Sequence, residues 1–228
     1  MKIFNKIVVF LLSLSIFPIF YFLNLVRAVV SISESSSLYT ILSKLAEDTA
    51  NSAIELTFSI KEIVTGISNG SFSFGGMSFD ISKIPAELLT GKGWAIAAGV
   101  LLVVAAVIAI VIMGCALFTN ANKTISALGA GGFVCCFAAL RCFARFTAPF
   151  LSGSVDIGGI LAKAFIGESN NLLGSIGESI LEGAISVDAF SLGNAVTLSL
   201  IVFLGIALWE LAYFITIPEK KTKKVKNI

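Results

Sequence analysis

WAIAAGVLLVVAAVIAIVIMGCALF (94–118), TNANKT (119–124) and ISALGAGGFVCCFAALRCFARFTAPF (125–150) decide what kind of molecule this is. The first run carries no charge in 25 residues, and a helix rising about 1.5 Å per residue needs about 20 apolar residues to cross a hydrocarbon core of roughly 30 Å. It is therefore read as a membrane span. The six-residue break is too short for anything but a tight turn, so the chain re-enters lipid at Ile125 and the pair forms a transmembrane hairpin. Small residues recur at every fourth position of the second arm, at Ala127, Gly131, Cys135 and Ala139, and Ala95, Gly99, Ala106 and Ala109 lie along the first. In lipid, helices associate through close packing rather than by hiding apolar surface, and small residues permit the approach.

Working outward, two further apolar runs match the hairpin. The chain opens on Met1-Lys2-Ile3-Phe4-Asn5-Lys6 and an apolar stretch from Ile7 to Val26. Val26-Arg27-Ala28 could pass as a signal cleavage site, but 20 apolar residues exceed the roughly 7–15 of a signal core. The expectation is an uncleaved span over 1–30, bent locally by Pro18. A last span runs over 193–217 and is closed by Pro218. With 57% hydrophobic and 13% charged residues in 228, the chain is more apolar than soluble domains, which run near 45–50% apolar.

Polar segments separate the spans. Residues 31–92 form a first outer loop, with Ser31 and Glu34 as a capping pair and apolar residues at Leu38, Ile41, Leu42, Leu45, Leu56, Ile60, Ile63 and Ile67 at helical spacing. Alternation on either side of Gly75-Gly76 predicts a β-hairpin over 71–74 and 77–81. Residues 151–192 form a second outer loop, predicted as two short helices followed by a strand near 184–187. An isolated two-stranded hairpin is marginal in water, so that strand is expected to join it as a third. The fold class is thus an all-α membrane protein, a four-helix transmembrane bundle at 1–30, 93–118, 125–150 and 193–217 with a small extracellular α+β domain formed by the two outer loops.

Charge orients the bundle. The N-terminal end, the 119–124 turn and the 218–228 tail carry eight lysines against one glutamate, whereas the 31–92 loop has four lysines against seven acids and the 151–192 loop one against five. Lys and Arg near span ends favour the cytoplasm. Both termini are expected there, in the plasma membrane, or in the endoplasmic reticulum if the host is eukaryotic. Lys220, Lys221, Lys223, Lys224 and Lys226 form a basic tail that enforces topology and touches anionic lipid at about 1 kcal/mol per residue. Asn69-Gly70-Ser71 is a glycosylation sequon on the outer face.

Catalysis has little to work with. There is no His, the usual proton shuttle and metal ligand, and no phosphate-binding loop, metal-ligand cluster or nucleophile-base pattern. Cys115, Cys135, Cys136 and Cys142 all lie in the hairpin arms and read as packing residues. No enzymatic activity, cofactor or metal is expected. Two features stand out. Arg27, Arg141 and Arg145 all fall near the outer ends of spans and form a candidate outer-leaflet cationic cluster. It could dock the acidic loops through Asp156, Glu168 or Asp188, bind an anionic headgroup, or snorkel to the interface. Glu210 is the only carboxylate within a span, a candidate intramembrane acid, flanked by Trp209 and Tyr213, with Lys123 or a tail lysine as its expected neighbour.

A long first outer loop, a tight inner turn, a second outer loop and strands beside the second and fourth spans resemble, as topology, the claudin-like four-span proteins. That family's Trp and Cys pair in the first loop have no counterpart in 31–92, so no residue is carried over. The resemblance implies a non-enzymatic protein making lateral or cell-surface contacts through its outer domain. The alternative is a subunit of an oligomeric channel or transporter, which would need several copies to line a pore. Expected partners are membrane lipids and either further copies or other membrane proteins, not nucleic acid.

Overall fold

The computed structural model describes residues 2–33, 36, 53–69, 71–74, 77–80, 91–118, 122–155 and 184–216. Four of its helices are long and apolar enough to cross a membrane: α1 (Lys2–Phe22), α3 (Lys92–Phe118), α4 (Asn122–Leu151) and α5 (Asn194–Thr216). A short helix α2 (Ile60–Asn69) lies between them in sequence. The strands are β1 (Asn24–Ile32), β2 (Ala53–Ser59), β3 (Ser71–Phe74), β4 (Met77–Asp80) and β5 (Ile185–Leu192).

The long helices pack in a ring, α1 against α3 and α5, with α4 closing the ring between α3 and α5. Their burial is inverted relative to a soluble protein. Helix α3 hides Ala98, Ala105, Ala109, Ile112 and Ala116 and exposes Val100, Val103, Val107 and Ile110. A soluble monomer does not tolerate so much exposed apolar surface, whereas lipid favours it. The described protein is thus built as an integral membrane protein with a mostly helical fold and a small sheet.

Close approach occurs on a different stripe from the one read in the sequence. On α4 the buried positions are Ile125, Gly129, Gly132, Cys136, Ala139 and Phe143, near the 3.5-residue repeat of a helix seam. They face α5. A Cβ at Gly129 would lie 2.9 Å from the Ala207 backbone nitrogen and 3.1 Å from the Phe203 carbonyl, and one at Gly132 would overlap the Phe203 ring. Of the expected set, only Ala139 belongs to this seam. Ala127 is exposed, and Gly131 faces the Ile108 side chain, where a Cβ would meet it at an ordinary 3.8 Å.

The first span ends earlier than residue 30. Helix α1 continues through Pro18 to Phe22, and after Leu23 the chain switches to β1. Val26, Val29, Val30 and Ile32 are β-branched and suit a strand. Strand β1 is the centre of a three-stranded antiparallel sheet in the order β2-β1-β5, with Ala28 opposite both Leu56 and Phe190. The last strand therefore joins β1 and not the 71–80 hairpin, which forms in the expected register, Phe72 opposite Phe79, as a separate two-stranded sheet. A central strand offers β5 a long partner with a matching apolar face, which a four-residue hairpin strand cannot.

The helix read across 38–67 is also revised: its described part is strand over 53–59 and helix only from Ile60. Ser59-Ile60-Lys61-Glu62 is a capping box, in which the Ser59 amide donates to Glu62 Oε2 at 2.7 Å and the Glu62 amide donates to Ser59 Oγ at 3.3 Å. Ser31 caps nothing; it sits in β1 with its hydroxyl 2.7 Å from that of Ser186. The helices expected within 151–192 lie largely outside the described residues.

Both junctions between spans and sheet are short. Leu23 alone separates α1 from β1, and Gly193 alone separates β5 from α5. The Gly193 amide donates to the Leu25 carbonyl at 2.7 Å, and a side chain there would strike the Asn24 backbone, so glycine is required at this crossing. Phe190 of β5 then packs among Phe143, Phe146 and Phe150 of α4, with centroids 5.4 to 6.0 Å apart in edge or tilted arrangements of the kind aromatic quadrupoles favour. The sheet is clamped to three spans at one end of the bundle. The other end carries the start of α1, the start of α4 and the finish of α5.

Candidate functional site

Two places bring polar chemistry into or against the bundle, one at each end. At the end opposite the sheet, α1 turns Asn5, Val9, Ser13, Ile16 and Phe20 inward, a three-to-four spacing that puts one amide on a seam whose other members are apolar or, at Ser13, bonded back to their own helix. Across from it α5 buries Glu210, which is 0% exposed. Asn5 Nδ2 donates to Glu210 Oε1 at 2.8 Å, and Trp209 Nε1 donates to Asn5 Oδ1 at 2.6 Å. An indole can only donate, so Trp209 fixes which way the amide faces and thereby aims its NH2 at the carboxyl. Glu210 Oε2 and the Tyr213 hydroxyl are buried with no partner among the described residues.

Of the neighbours expected for Glu210, Lys123 makes no ion pair with it. Its ammonium lies 4.5 Å from the Phe214 ring centroid, tying α4 to α5 by a cation–π contact. The tail lysines Lys220, Lys221, Lys223, Lys224 and Lys226 lie outside the described residues. Asn5 was hidden in the sequence because Lys2 and Lys6 make it look like part of a charged leader. The available signal was its four-residue offset from Val9, itself four from Ser13, on the same face.

At the sheet end the three arginines are not one cluster. Arg27 is on β1, where Nε contacts Glu55 Oε1 of β2 at 2.6 Å with both side chains about half exposed, a pair worth about 0–1 kcal/mol. Arg141 and Arg145 stand one turn apart on the exposed stripe of α4. The Arg145 guanidinium lies 4.7 Å from the Trp94 ring centroid, and that of Arg141 5.8 Å from Phe137, four residues back. Neither has a carboxylate partner among the described residues. Asp156 and Glu168 lie outside them, and Asp188, the unpaired residue of a bulge in β5, accepts instead from the Ser186 hydroxyl at 3.3 Å.

The sheet itself has two unlike faces. Val26, Phe190 and Leu192 face the bundle, while Arg27, Glu55, Ser186, Asp188 and Ser191 are exposed. Among the described residues no three His, Cys, Asp or Glu side chains are grouped to hold a metal. Comparison with protein-family models, with curated proteins and with solved structures finds no match.

Proposed function

We propose that this is a non-enzymatic four-span membrane protein whose sheet end lies outside the cell and makes lateral or cell-surface contacts, with both termini in the cytoplasm of a plasma-membrane protein. The observation that carries the reading is the one-residue linkage of β1 to α1 and of β5 to α5. A platform so joined cannot reorient independently of its spans, and its polar face is left free for a partner. The lysine bias toward the opposite end and the layout shared with claudin-like proteins support the same orientation.

A second reading, a subunit of an oligomeric channel or transporter, rests on Glu210 Oε2, a buried oxygen without a partner among the described residues and of the kind a moving cation would use. Phe203, Ile206 and Ile16 fill the bundle interior and Glu210 is itself 0% exposed, so a pore between copies would reach this oxygen only if the bundle opened. Photo-cross-linking distinguishes the two. A cross-linker carried on Glu55→Cys or Ser186→Cys in intact cells is expected to trap a second copy or another membrane protein, and one on Lys123→Cys to trap none through this face. No adduct from the sheet positions, together with conductance in reconstituted vesicles, would favour the channel.

A further inference from the structure

The exposed stripe of α4 carries two permanent charges where the chain meets lipid. Counting from Ile125, buried at one end, Arg145 is 20 residues on, or about 30 Å at helical rise, the full thickness of a hydrocarbon core. Arg141 is one turn, about 6 Å, further in. Helical side chains lean toward their N-terminus, which here is away from the sheet end. Arg141 does this, lying over Phe137 at i−4. Its charge is thus not carried fully out to the interface.

Each guanidinium lies over an aromatic ring and has no hydrogen-bond or carboxylate partner among the described residues, so its N–H donors are available to an acceptor. Such an arrangement matches a phosphate, which accepts from arginine bidentately. Trp94 marks the same level, as tryptophan does at a headgroup boundary. Below the charges, exposed Val134 and Phe137 offer an apolar track for an acyl chain. The geometry points to a binding site for an anionic phospholipid in the leaflet at the sheet end, its phosphate held by Arg141 and Arg145 beside Trp94 and one acyl chain lying along Val134 and Phe137.

The chain has two tryptophans, so Trp209→Phe leaves Trp94, 43% exposed, as the sole reporter. The full-length Trp209→Phe protein is reconstituted in vesicles of phosphatidylcholine containing equal fractions of brominated phosphatidylglycerol or brominated phosphatidylcholine. Quenching of Trp94 is expected to show about a fivefold preference for the anionic lipid, from the attraction of basic side chains near an anionic surface. The preference is expected to vanish in Arg141→Gln/Arg145→Gln and to fall in ~1 M salt, where the Debye length shrinks to about 3 Å. Should Trp209→Phe fail to fold, the difference in total quenching between the parent and Arg141→Gln/Arg145→Gln is read instead. Equal quenching by the two lipids, or a preference that survives loss of both arginines, would overturn the site. So would a pair of arginines needed only for a cross-linked protein complex, since the face would then be a protein contact.

Discussion

Gly129→Ala is expected to destabilise the bundle by about 1–3 kcal/mol, the cost of overpacking a tight seam, while Gly131→Ala, two residues on, is expected to stabilise it by about 0.5–1 kcal/mol through helix propensity alone. The opposite signs follow from what each new methyl meets. At Gly129 the nearest atoms are backbone of α5, the Ala207 nitrogen at 2.9 Å and the Phe203 carbonyl at 3.1 Å; backbone cannot rotate out of the way, so the helices must part. At Gly131 the nearest atom is the end of the Ile108 side chain at 3.8 Å, an ordinary contact. Unfolding of the purified proteins by titration with a denaturing detergent separates the two. Equal effects from both would mean that the α4–α5 seam has been assigned to the wrong face.

The second large effect lies at the same end of the bundle, in the seam between α1 and α5. Asn5→Ala removes the donor to Glu210 Oε1 and the acceptor for Trp209 Nε1, leaving a wholly buried carboxyl without a partner among the described residues. Stranding a buried polar group costs about 1–3 kcal/mol, and more if the group is charged. Glu210→Gln keeps an oxygen to accept the Asn5 bond and is expected to cost about 1 kcal/mol or less. Asn5→Leu/Glu210→Leu removes both partners and is expected to lie near the parent, because apolar replacement of a whole buried pair is close to neutral or stabilising. A double-mutant cycle run by the same unfolding assay measures the coupling. Additive losses would show that Asn5 and Glu210 do not act on one another.

How much of this was legible in the sequence depends on the range of the interaction. The spans could be read because length and apolarity are local properties. Strands β3 and β4 could be read because alternation and a Gly-Gly turn lie within ten residues. Strand β1 could not, since the apolar run from Ile7 passes into it with only Leu23 between helix and strand, and a window that measures hydropathy does not see the change of period; the cluster Val26, Val29, Val30 was the trace it left. Its pairing with β5 joins residues more than 150 positions apart, and local pattern carries no record of that register. Glu210 stood out as the single acid in a span, but its partner is an asparagine near the opposite terminus, which only the packing of α1 on α5 brings near. Small residues do form the close approach, at Gly129 and Gly132, but the set read in the sequence, Ala127, Gly131, Cys135 and Ala139, follows a strict repeat of four, which drifts around the helix and keeps only Ala139 on the seam. The seam alternates three and four.

The proposed contact function requires the sheet to lie outside the cell, fused to spans whose termini lie inside. Accessibility tests this most directly, in intact cells making the full chain with Cys115, Cys135, Cys136 and Cys142 changed to Ala and a single new cysteine at Ser186→Cys or Lys223→Cys. A membrane-impermeant maleimide is expected to label Ser186→Cys, exposed on β5, before lysis and Lys223→Cys only after it. Labelling of Lys223→Cys on intact cells, with Ser186→Cys protected until lysis, would contradict the proposed orientation and the contact function built on it.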